Sequence, residues 1–416
     1  MRRVKEWSEA YAPRLREEGE VRYRYDGVPL VKVERTYRLL TPLFGGGVEP
    51  RLADPVTVVR GTEVRGQLRF WWRAVRGWQA EGDLKRLFAL EAAIFGSAGE
   101  GGASPVAVEV EVLEKGREAI PYQDIPGKKF PRPLPDIAHP YVAFPLQRTR
   151  QDPRNYPVQQ GIRFKLRLMY PEAVSLGTER LDLRQELEAA LWAWETFGGI
   201  GARTRRGFGA LAAEGSKAPT EDEIREGLRR FSREKGWPEG VPHLTPSSVI
   251  RVVTLSWRKV VDLYQAFRQE RNKGSHPKRP GRSLWPEPDE IRRLAGRYAP
   301  NHAPRHSLRK FPRGQFGLPI IFHFKDKEQG DPSDATLKPQ DKDLDRMASP
   351  LLFRPLEDNR CVVAVLEGPR VPPGGVVLEI SSRTFPVGVF LTPAEAQMLP
   401  FLKGEEDPVR AFVESL

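Results

Sequence analysis

The stretch RGTEVRGQLRFWWRAVRGW, residues 60–78, decides the fold of the first half of this chain. Taken as a helix that begins near Thr62, it places large apolar side chains three and four residues apart, which is the spacing of a core-facing stripe. That stripe consists of Leu68, Trp71, Trp72, Val75 and Trp78. An adjacent face carries Arg65, Arg69, Arg73 and Arg76 with no carboxylate between them. Because like charges at this spacing repel, we expect a polyanion such as nucleic acid to lie across the arginines.

The bulk composition of the chain favours the same kind of partner. The 416 residues carry a formal net charge of +12, and no apolar run is long enough to cross a bilayer. A single cysteine, Cys361, excludes an intramolecular disulfide and a multi-cysteine zinc site. The charged N-terminal residues have no apolar run behind them and do not resemble a secretory signal. We therefore expect a soluble, cytoplasmic protein with no membrane contact.

The periodicity of the first half predicts an α+β unit. Alternating or mixed apolar residues predict strands at 28–40, 105–113 and 161–170. Apolar residues at helical spacing predict one helix that begins after Asp83 and another at 183–197. Residues 114–160 are rich in proline and are expected to form an irregular insertion. The order of elements fits a ferredoxin-like βαββαβ unit with an insertion, which we assign to residues 1–217.

The remaining residues, 218–416, are assigned to a second domain of the same class. Strands are predicted at 248–257, 317–324, 351–355, 361–366 and 376–380, and a late helix at 392–403. Two segments rich in proline, lysine or aspartate, near 269–283 and 325–346, are expected to be mobile.

A glycine-rich loop, FGGIGARTRRGFGAL at residues 197–211, follows the last helix of the first unit. Its glycines would let a ligand backbone approach closely, and Arg203, Arg205 and Arg206 supply forked donors suited to phosphate. A dinucleotide fingerprint is rejected, since this loop follows a helix and Thr204 stands where the third glycine belongs. A glycine-rich connection with solvated arginines remains the alternative.

A second basic segment covers residues 292–313, which contain no acidic residue. Aromatic and histidine side chains are interleaved with the cations, a pattern typical of a surface that binds single-stranded RNA. His302 and His306 are four residues apart, but Pro304 lies between them and no nearby carboxylate or thiol completes a metal site. No metal and no cofactor are expected.

Three stretches resemble a known family. TPLFGGG at 41–47 with EVRGQLRFWWRA, the glycine-rich loop, and HAPRHSLRKFPRGQFGLPIIFHF at 302–324 with RMASPLLFRPL are similar, in this order, to the first subunit of Cmr complexes. These are type III-B CRISPR effectors, and the subunit belongs to the RAMP superfamily (repeat-associated mysterious proteins). The resemblance implies two tandem ferredoxin-like (RRM-like) domains, and a glycine-rich loop that contacts guide RNA.

The resemblance further implies a non-catalytic subunit that holds the 3′ part of the guide (CRISPR) RNA, aids target RNA engagement in antiviral defence, and contacts other RAMP subunits. The predicted RNA-binding residues are Thr41, Phe44, Gly45, Gly46, Arg60, Arg65, Arg69, Arg73, Gly199, Gly201, Arg203, Arg205, Arg206, Gly207, Arg305, His306, Arg309 and Arg313. No catalytic residue is predicted, because the six histidines form no recognisable pair. The alternatives are a metal-independent RAMP endoribonuclease that processes CRISPR RNA, and a scaffold whose basic faces meet acidic subunits.

Overall fold

The computed structural model describes residues 24–25, 28–98, 102–272 and 281–416, which form a mixed α/β structure with antiparallel sheets. The strands are β1 Arg24–Tyr25, β2 Val28–Leu39, β3 Ala107–Glu114, β4 Arg117–Ala119, β5 Tyr122–Gln123, β6 Arg132–Pro133, β7 Val158–Gln160, β8 Arg163–Pro171, β9 Ala173–Leu176, β10 Glu179–Asp182, β11 Leu211–Ala213, β12 Ile250–Val253, β13 Ile320–Phe322, β14 Ala335–Pro339, β15 Leu351–Pro355, β16 Cys361–Val365, β17 Val376–Ile380 and β18 Arg383–Val387. The α-helices are α1 Gly61–Arg76, α2 Leu84–Phe95, α3 Pro140–Ala143, α4 Leu183–Phe197, α5 Glu221–Phe231, α6 Trp257–Arg268, α7 Glu287–Ala295, α8 Pro393–Gln397 and α9 Pro408–Glu414.

The tryptophan-rich stretch forms α1 as predicted, and its apolar stripe is buried against the first sheet and α4. Trp78 alone of the stripe is only half-buried, because the chain tightens into a 3₁₀ turn at Gly77–Ala80. The cap of α2 is also confirmed, since the Asp83 side chain accepts a hydrogen bond from the Lys85 N–H. Helix α4 ends at Gly198, as the sequence predicts.

The first sheet has the order β11–β2–β8–β3, with β1 also paired to β2, and its pairs are antiparallel. One face is apolar and covers α1 and α4. The other face is a lattice of charges in which Arg167 of β8 contacts Glu34 of β2 and Glu109 and Glu111 of β3. Among the described residues, no aromatic ring takes part in this lattice.

The insertion at 114–160 is more regular than predicted, since it contains β4–β7 and α3. Strands of two or three residues are too short to show alternation in sequence. Its buried residues, among them Tyr122, Val142 and Leu146, share a second core with Tyr264 and Phe353 from the second half of the chain. The insertion is therefore packed onto the second half.

In the second half, strands β15 and β16 of the sheet β12–β16–β15 are buried on both faces. One face packs on α6 and α9, whereas the other joins the core of the first sheet and extends that core across the predicted boundary at residue 217. A further sheet has the order β13–β14–β17–β18. Helices α6, α7 and α9 are absent from the sequence prediction.

Within residues 325–346, which the sequence predicts to be mobile, β14 is an inner strand of that last sheet with Ala335 and Leu337 buried. In the other segment expected to be mobile, residues 273–280 lie outside the described residues. Asn272 and Arg282 flank these residues, and the Asn272 N–H donates a hydrogen bond to the Arg282 carbonyl. No described helix is long and apolar enough to cross a membrane.

Candidate nucleic-acid interface

Two predicted loops, residues 41–47 and the glycine-rich loop, lie side by side although they are about 160 residues apart in sequence. The Thr41 hydroxyl donates to the Gly207 carbonyl at 2.6 Å and accepts from the Ala210 N–H at 2.9 Å. The Ala202 N–H donates to the Phe44 carbonyl at 2.7 Å. The structure thus brings together the two stretches on which the family resemblance first depends.

The glycines of these loops permit close packing of the chain against itself. A Cβ on Gly207, whose φ is +85°, would lie 2.4 Å from the Trp257 indole nitrogen, and a Cβ on Gly201 would lie 2.7 Å from the Phe44 carbonyl. A Cβ on Gly45 would likewise collide with Ala202, and a Cβ on Gly199 with Gly209. The reason predicted for these glycines, room for a ligand backbone, is therefore wrong, because protein atoms already fill that room.

Thr41 and Phe44 are also buried. The Phe44 ring packs edge-on against Phe208, with centroids 4.9 Å apart. Gly46 lies against the Glu63 carboxylate, which accepts the Gly201 N–H at 2.6 Å. Contacts of these residues with RNA remain a prediction, but their visible role is to hold the two loops together.

The three arginines of the glycine-rich loop donate to carbonyl groups and have no carboxylate partner among the described residues. Arg203 donates to the Val142 carbonyl at 3.2 Å, and Arg205 to the Ser349 carbonyl at 2.7 Å. Arg206 donates to the Leu351 carbonyl at 2.9 Å and to the Tyr264 hydroxyl at 3.0 Å. A carbonyl carries no charge to neutralise a guanidinium, so this loop keeps its positive charge.

The same loop joins the two halves of the chain. Its backbone pairs with β15, where the Phe353 N–H donates to the Arg205 carbonyl at 3.1 Å. Burial and the neighbouring charge of Arg206 lower the pKa of Arg203 and of Arg205 to about 10. The Arg203 guanidinium lies 4.7 Å from the ring centre of Phe144, which is exposed. Phe144 is a stacking candidate that the sequence analysis missed.

Three of the four arginines in the α1 stripe pair with two carboxylates from other helices. Arg69 and Arg73 contact Glu91 of α2 at 2.6 and 2.5 Å, and Arg76 is buried against Glu186 of α4 at 2.5 Å. The prediction that a polyanion lies across this stripe assumed that no carboxylate separates the arginines, and this assumption is wrong. Arg65 makes only a 3.3 Å hydrogen bond to the Val106 carbonyl.

Arg60 lies one residue before α1. Its Nε is buried without a hydrogen-bond partner among the described residues. Contacts of Arg60, Arg65, Arg69 and Arg73 with RNA remain a prediction.

The basic segment at 292–313 is compensated in part, by acidic residues of α7 and of the loop before β14. Arg292 pairs with Asp289 and Asp331, Arg293 with Glu290, and Arg313 with Glu287. These acids lie outside the segment, so its own composition did not reveal them. Glu287, Asp289 and Glu290 directly precede the arginines, and acidic residues of this kind are typical of a first helical turn.

Within that segment, Arg305 and Arg309 are exposed, and neither has a side-chain partner among the described residues. The backbone N–H groups of Arg305 and His306 both donate to Asp289, at 2.8 and 2.9 Å. The His306 Nδ1 is buried with no hydrogen-bond partner in the described part of the chain. The two exposed arginines are available to a polyanion, whereas Arg313 is held inside.

Carboxylates do approach His302, contrary to expectation. Its Nδ1 lies 2.7 Å from Asp331 and its Nε2 3.7 Å from Asp326, so these three residues could in principle hold a metal ion. Asp331, however, already accepts two hydrogen bonds from Arg292 and one from the Ala299 N–H. A carboxylate engaged in this way is a poor metal ligand, and the cluster is better described as an ion-pair network.

Comparisons with known proteins give one consistent result. Residues 36–212 match the RAMP superfamily. The chain is similar to the CRISPR system Cmr subunit Cmr1-2 of Pyrococcus furiosus, with 29% identity over 183 residues, or 42% of this chain and 91% of that protein.

Among solved structures, a crystal structure of Cmr1 from Pyrococcus furiosus in its apo form aligns with a TM-score of 0.43 and 17% identity, over 82% of this chain and 88% of that one. A chain of the type III-B Cmr-beta complex bound to cognate target RNA aligns with a TM-score of 0.46 and 13% identity, over 92% and 99%.

Proposed function

We propose that the chain, whose residues 36–212 match the RAMP superfamily, is an RNA-binding, non-catalytic subunit of a cytoplasmic type III-B Cmr effector complex. In this role it holds the 3′ part of the guide RNA and helps to engage target RNA, beside other RAMP subunits. The similarity to a Cmr subunit supports the assembly, and the distribution of charge supports RNA as the ligand.

The domain assignment belongs to the same proposal. The strand order β11–β2–β8–β3, with α1 and α4 on one face, supports a ferredoxin-like first unit. The second half has the same order of strands and helices along the chain, given by β12, α6, β15, β16 and α9. Its sheet order, β12–β16–β15, corresponds to three strands of the first unit. The sheet β13–β14–β17–β18 is then an addition to the second unit.

The observation that carries the RNA assignment is the uncompensated charge of Arg203, Arg205 and Arg206. Three arginines of the α1 stripe share two carboxylates, and three arginines of residues 292–313 are paired with carboxylates. The three neighbouring guanidiniums of the glycine-rich loop, by contrast, contact only carbonyls and aromatic groups among the described residues. A phosphate backbone would relieve their mutual repulsion and accept the donors that the carbonyls leave free. Such contacts give affinity with little sequence preference and a steep dependence on salt.

The open face of the first sheet is a less suitable RNA platform. An RRM-type platform needs exposed aromatic rings for base stacking. Here the face carries Glu34, Glu109 and Glu111 around Arg167, so it presents carboxylates and no ring. We therefore place the RNA path along the glycine-rich loop and the adjoining Phe144.

The arrangement of the histidines supports a non-catalytic role. His139 uses both ring nitrogens, because Nδ1 accepts from the Tyr141 N–H and Nε2 contacts Asp262 at 2.9 Å. His302 is engaged by Asp331, and His243 stacks on Trp237. His323 contacts Asp334 at 3.1 Å, and the His306 Nδ1, although it has no hydrogen-bond partner among the described residues, is buried. A metal-independent ribonuclease commonly needs a free general base that the substrate can reach. His276 lies outside the described residues.

The test is a gel-shift titration of the purified chain with labelled guide and target RNA over a series of salt concentrations, with and without chelator. We expect intact RNA to shift at low salt and to be released as salt rises. Substitution of Arg203, Arg205 and Arg206 by Gln should weaken binding of unrelated sequences alike and reduce the slope of log K against log salt by about 2, at about 0.7 per lost single-strand phosphate contact.

The matched control replaces Arg86, Arg163 and Arg167 by Gln, since this removes the same charge from partly exposed, carboxylate-paired positions. Equal losses in both triple variants would show that only net charge matters and would contradict the proposed contact site. Cleavage products that survive chelation would favour the endoribonuclease. Neither a shift nor cleavage would favour the scaffold.

A further inference from the structure

A small pocket lies in the second half of the chain, between the end of α7 and the turn that joins β17 to β18. Its volume is about 130 Å³, which leaves room for several water molecules and hence for a tetrahedral phosphate. The lining consists of Leu294, Ala295, Arg297, Pro332, Ser333, Ile380, Ser381, Arg383 and Phe385. None of these residues belongs to the predicted RNA-binding set.

The pocket gathers positive charge with no opposing carboxylate. Arg297 contacts only the carbonyls of Gly330 and Lys327, and the Arg383 guanidinium lies 4.9 Å from the ring centre of Phe385. In the described part of the chain, neither arginine forms an ion pair. Both are exposed and retain free N–H donors toward solvent.

The acidic residues next to the lining in sequence are engaged elsewhere. Asp331 is held by Arg292, Asp334 contacts Lys327 at 2.6 Å, and Glu379 is paired with Lys338. These carboxylates therefore do not neutralise the two pocket arginines.

Two hydroxyl groups complete the polar side of the pocket. The Ser333 and Ser381 side chains are 2.6 Å apart, so one hydroxyl donates to the other and one hydroxyl proton remains for a ligand. Leu294, Ile380 and Phe385 supply an apolar wall. A pocket with this wall and a few convergent polar donors has the general character of a small-molecule site.

We propose that this pocket binds a phosphomonoester group. Arg297 and Arg383 bind the phosphate oxygens, a serine hydroxyl donates a further hydrogen bond, and the apolar wall contacts the group that carries the phosphate. This assignment does not depend on the proposed RNA-binding role, because the pocket and the glycine-rich loop share no residue.

The experiment is isothermal titration of the full chain with inorganic phosphate, AMP and adenosine. We expect saturable binding of both phosphate compounds and none of adenosine. Tighter binding of AMP than of inorganic phosphate would assign the pocket to nucleotides, and equal binding would assign it to the phosphate group alone. Absence of saturable binding by either compound would overturn the proposal.

Variants locate the binding. Arg383→Gln and Arg297→Gln should each weaken AMP binding at least tenfold, and both positions are exposed, so the fold should be retained. The control Arg346→Gln removes an exposed arginine outside the pocket and should leave binding unchanged. The glycine-loop variant with Arg203, Arg205 and Arg206 as Gln should still bind AMP. AMP binding that is lost in that variant but kept in Arg383→Gln would overturn the assignment.

Discussion

Glu63, in the first turn of α1, accepts the backbone N–H of Gly201 at 2.6 Å, across 138 residues of sequence. The second carboxylate oxygen is buried and has no partner within the described residues. Burial raises the pKa of Glu63 to about 7, against an ordinary value of 4.5. The carboxyl group that joins α1 to the glycine-rich loop therefore changes its charge near neutral pH.

Replacement of Glu63 by Gln should change how stability depends on pH. Because the pKa is higher in the folded state than in the unfolded state, the ionised carboxylate destabilises the fold, and stability falls as pH rises from 4.5 through about 7. The full shift corresponds to an upper limit of about 3 kcal/mol, at about 1.4 kcal/mol per pKa unit. Urea unfolding at pH 5, 6, 7 and 8 should show this fall for the native chain and a flatter profile for Glu63→Gln.

The contradictory outcome for this prediction is parallel pH profiles for the two proteins. Asp54→Asn is a suitable control, since Asp54 lies in the neighbouring loop and its pKa is lowered by hydrogen bonds from Thr57. That variant should retain the neutral-pH fall.

Gly207→Ala should destabilise the free protein even though no RNA is present. The new methyl group would collide with the Trp257 indole, whose N–H donates to the Arg206 carbonyl at 2.8 Å. Gly215→Ala is the matched control, because Gly215 has a similar φ of +80° and open space around it. We expect a loss of about 1–2 kcal/mol for the control, from the left-handed backbone alone, and a further loss of about 1–3 kcal/mol for Gly207→Ala from overpacking.

Thermal and urea unfolding measure this difference. If Gly207 served only to admit an RNA backbone, the two variants would lose equal stability and Gly207→Ala would differ only in RNA affinity.

The sequence predicts elements well where one side of a long segment is apolar. Helices α1 and α4 and strand β8 all occur where periodicity placed them. Helix α7 was missed because its buried face carries Glu287, Asp289 and Glu290, whose burial depends on arginines from other parts of the chain. Hydrophobic periodicity cannot detect a face of this kind.

For the candidate site, the sequence identifies which residues are basic but not which of them remain uncompensated. Glu186 is 110 residues from Arg76, and Asp331 is 39 residues from Arg292, so neither pairing is visible in a local window. The carbonyl partners of Arg205 and Arg206, at Ser349 and Leu351, are equally remote. Tertiary structure therefore decides which arginines are free to bind a polyanion.

The two carboxylates that neutralise α1 should differ in importance. Glu186 is buried with Arg76 and also accepts the Trp72 indole N–H at 2.7 Å, whereas the partners of Glu91 are about one-third exposed. Glu186→Gln leaves a buried guanidinium unpaired and should lower the free energy of unfolding by about 3–5 kcal/mol. Glu91→Gln should cost less, about 1 kcal/mol, because its partly exposed arginine partners can be solvated when the carboxylate is removed. Urea unfolding of both variants at pH 7 tests the order, and equal losses would refute the distinction.

Asp331→Asn should loosen the basic segment at 292–313. The difference between this variant and the native chain should disappear in acid. Burial alone would raise the pKa of Asp331, but hydrogen bonds from Arg292, the Ala299 N–H and His302 outweigh it and hold the pKa below the ordinary 3.8. The carboxylate therefore stabilises the fold above pH 3.8, and this stabilisation is lost as pH falls through the lower folded-state pKa.

We expect Asp331→Asn to cost about 3 kcal/mol between pH 5 and 8, because it breaks a buried ion pair. The difference from the native chain should shrink below pH 3.8, where the native Asp331 also becomes neutral. Asp326→Asn is the control, since Asp326 is only half-buried and lies 3.7 Å from His302 with no ion pair to Arg292 among the described residues. Amide hydrogen exchange of residues 297–313 would localise the loosening. Unchanged exchange there in Asp331→Asn would show that the loop is held by its own packing rather than by this carboxylate.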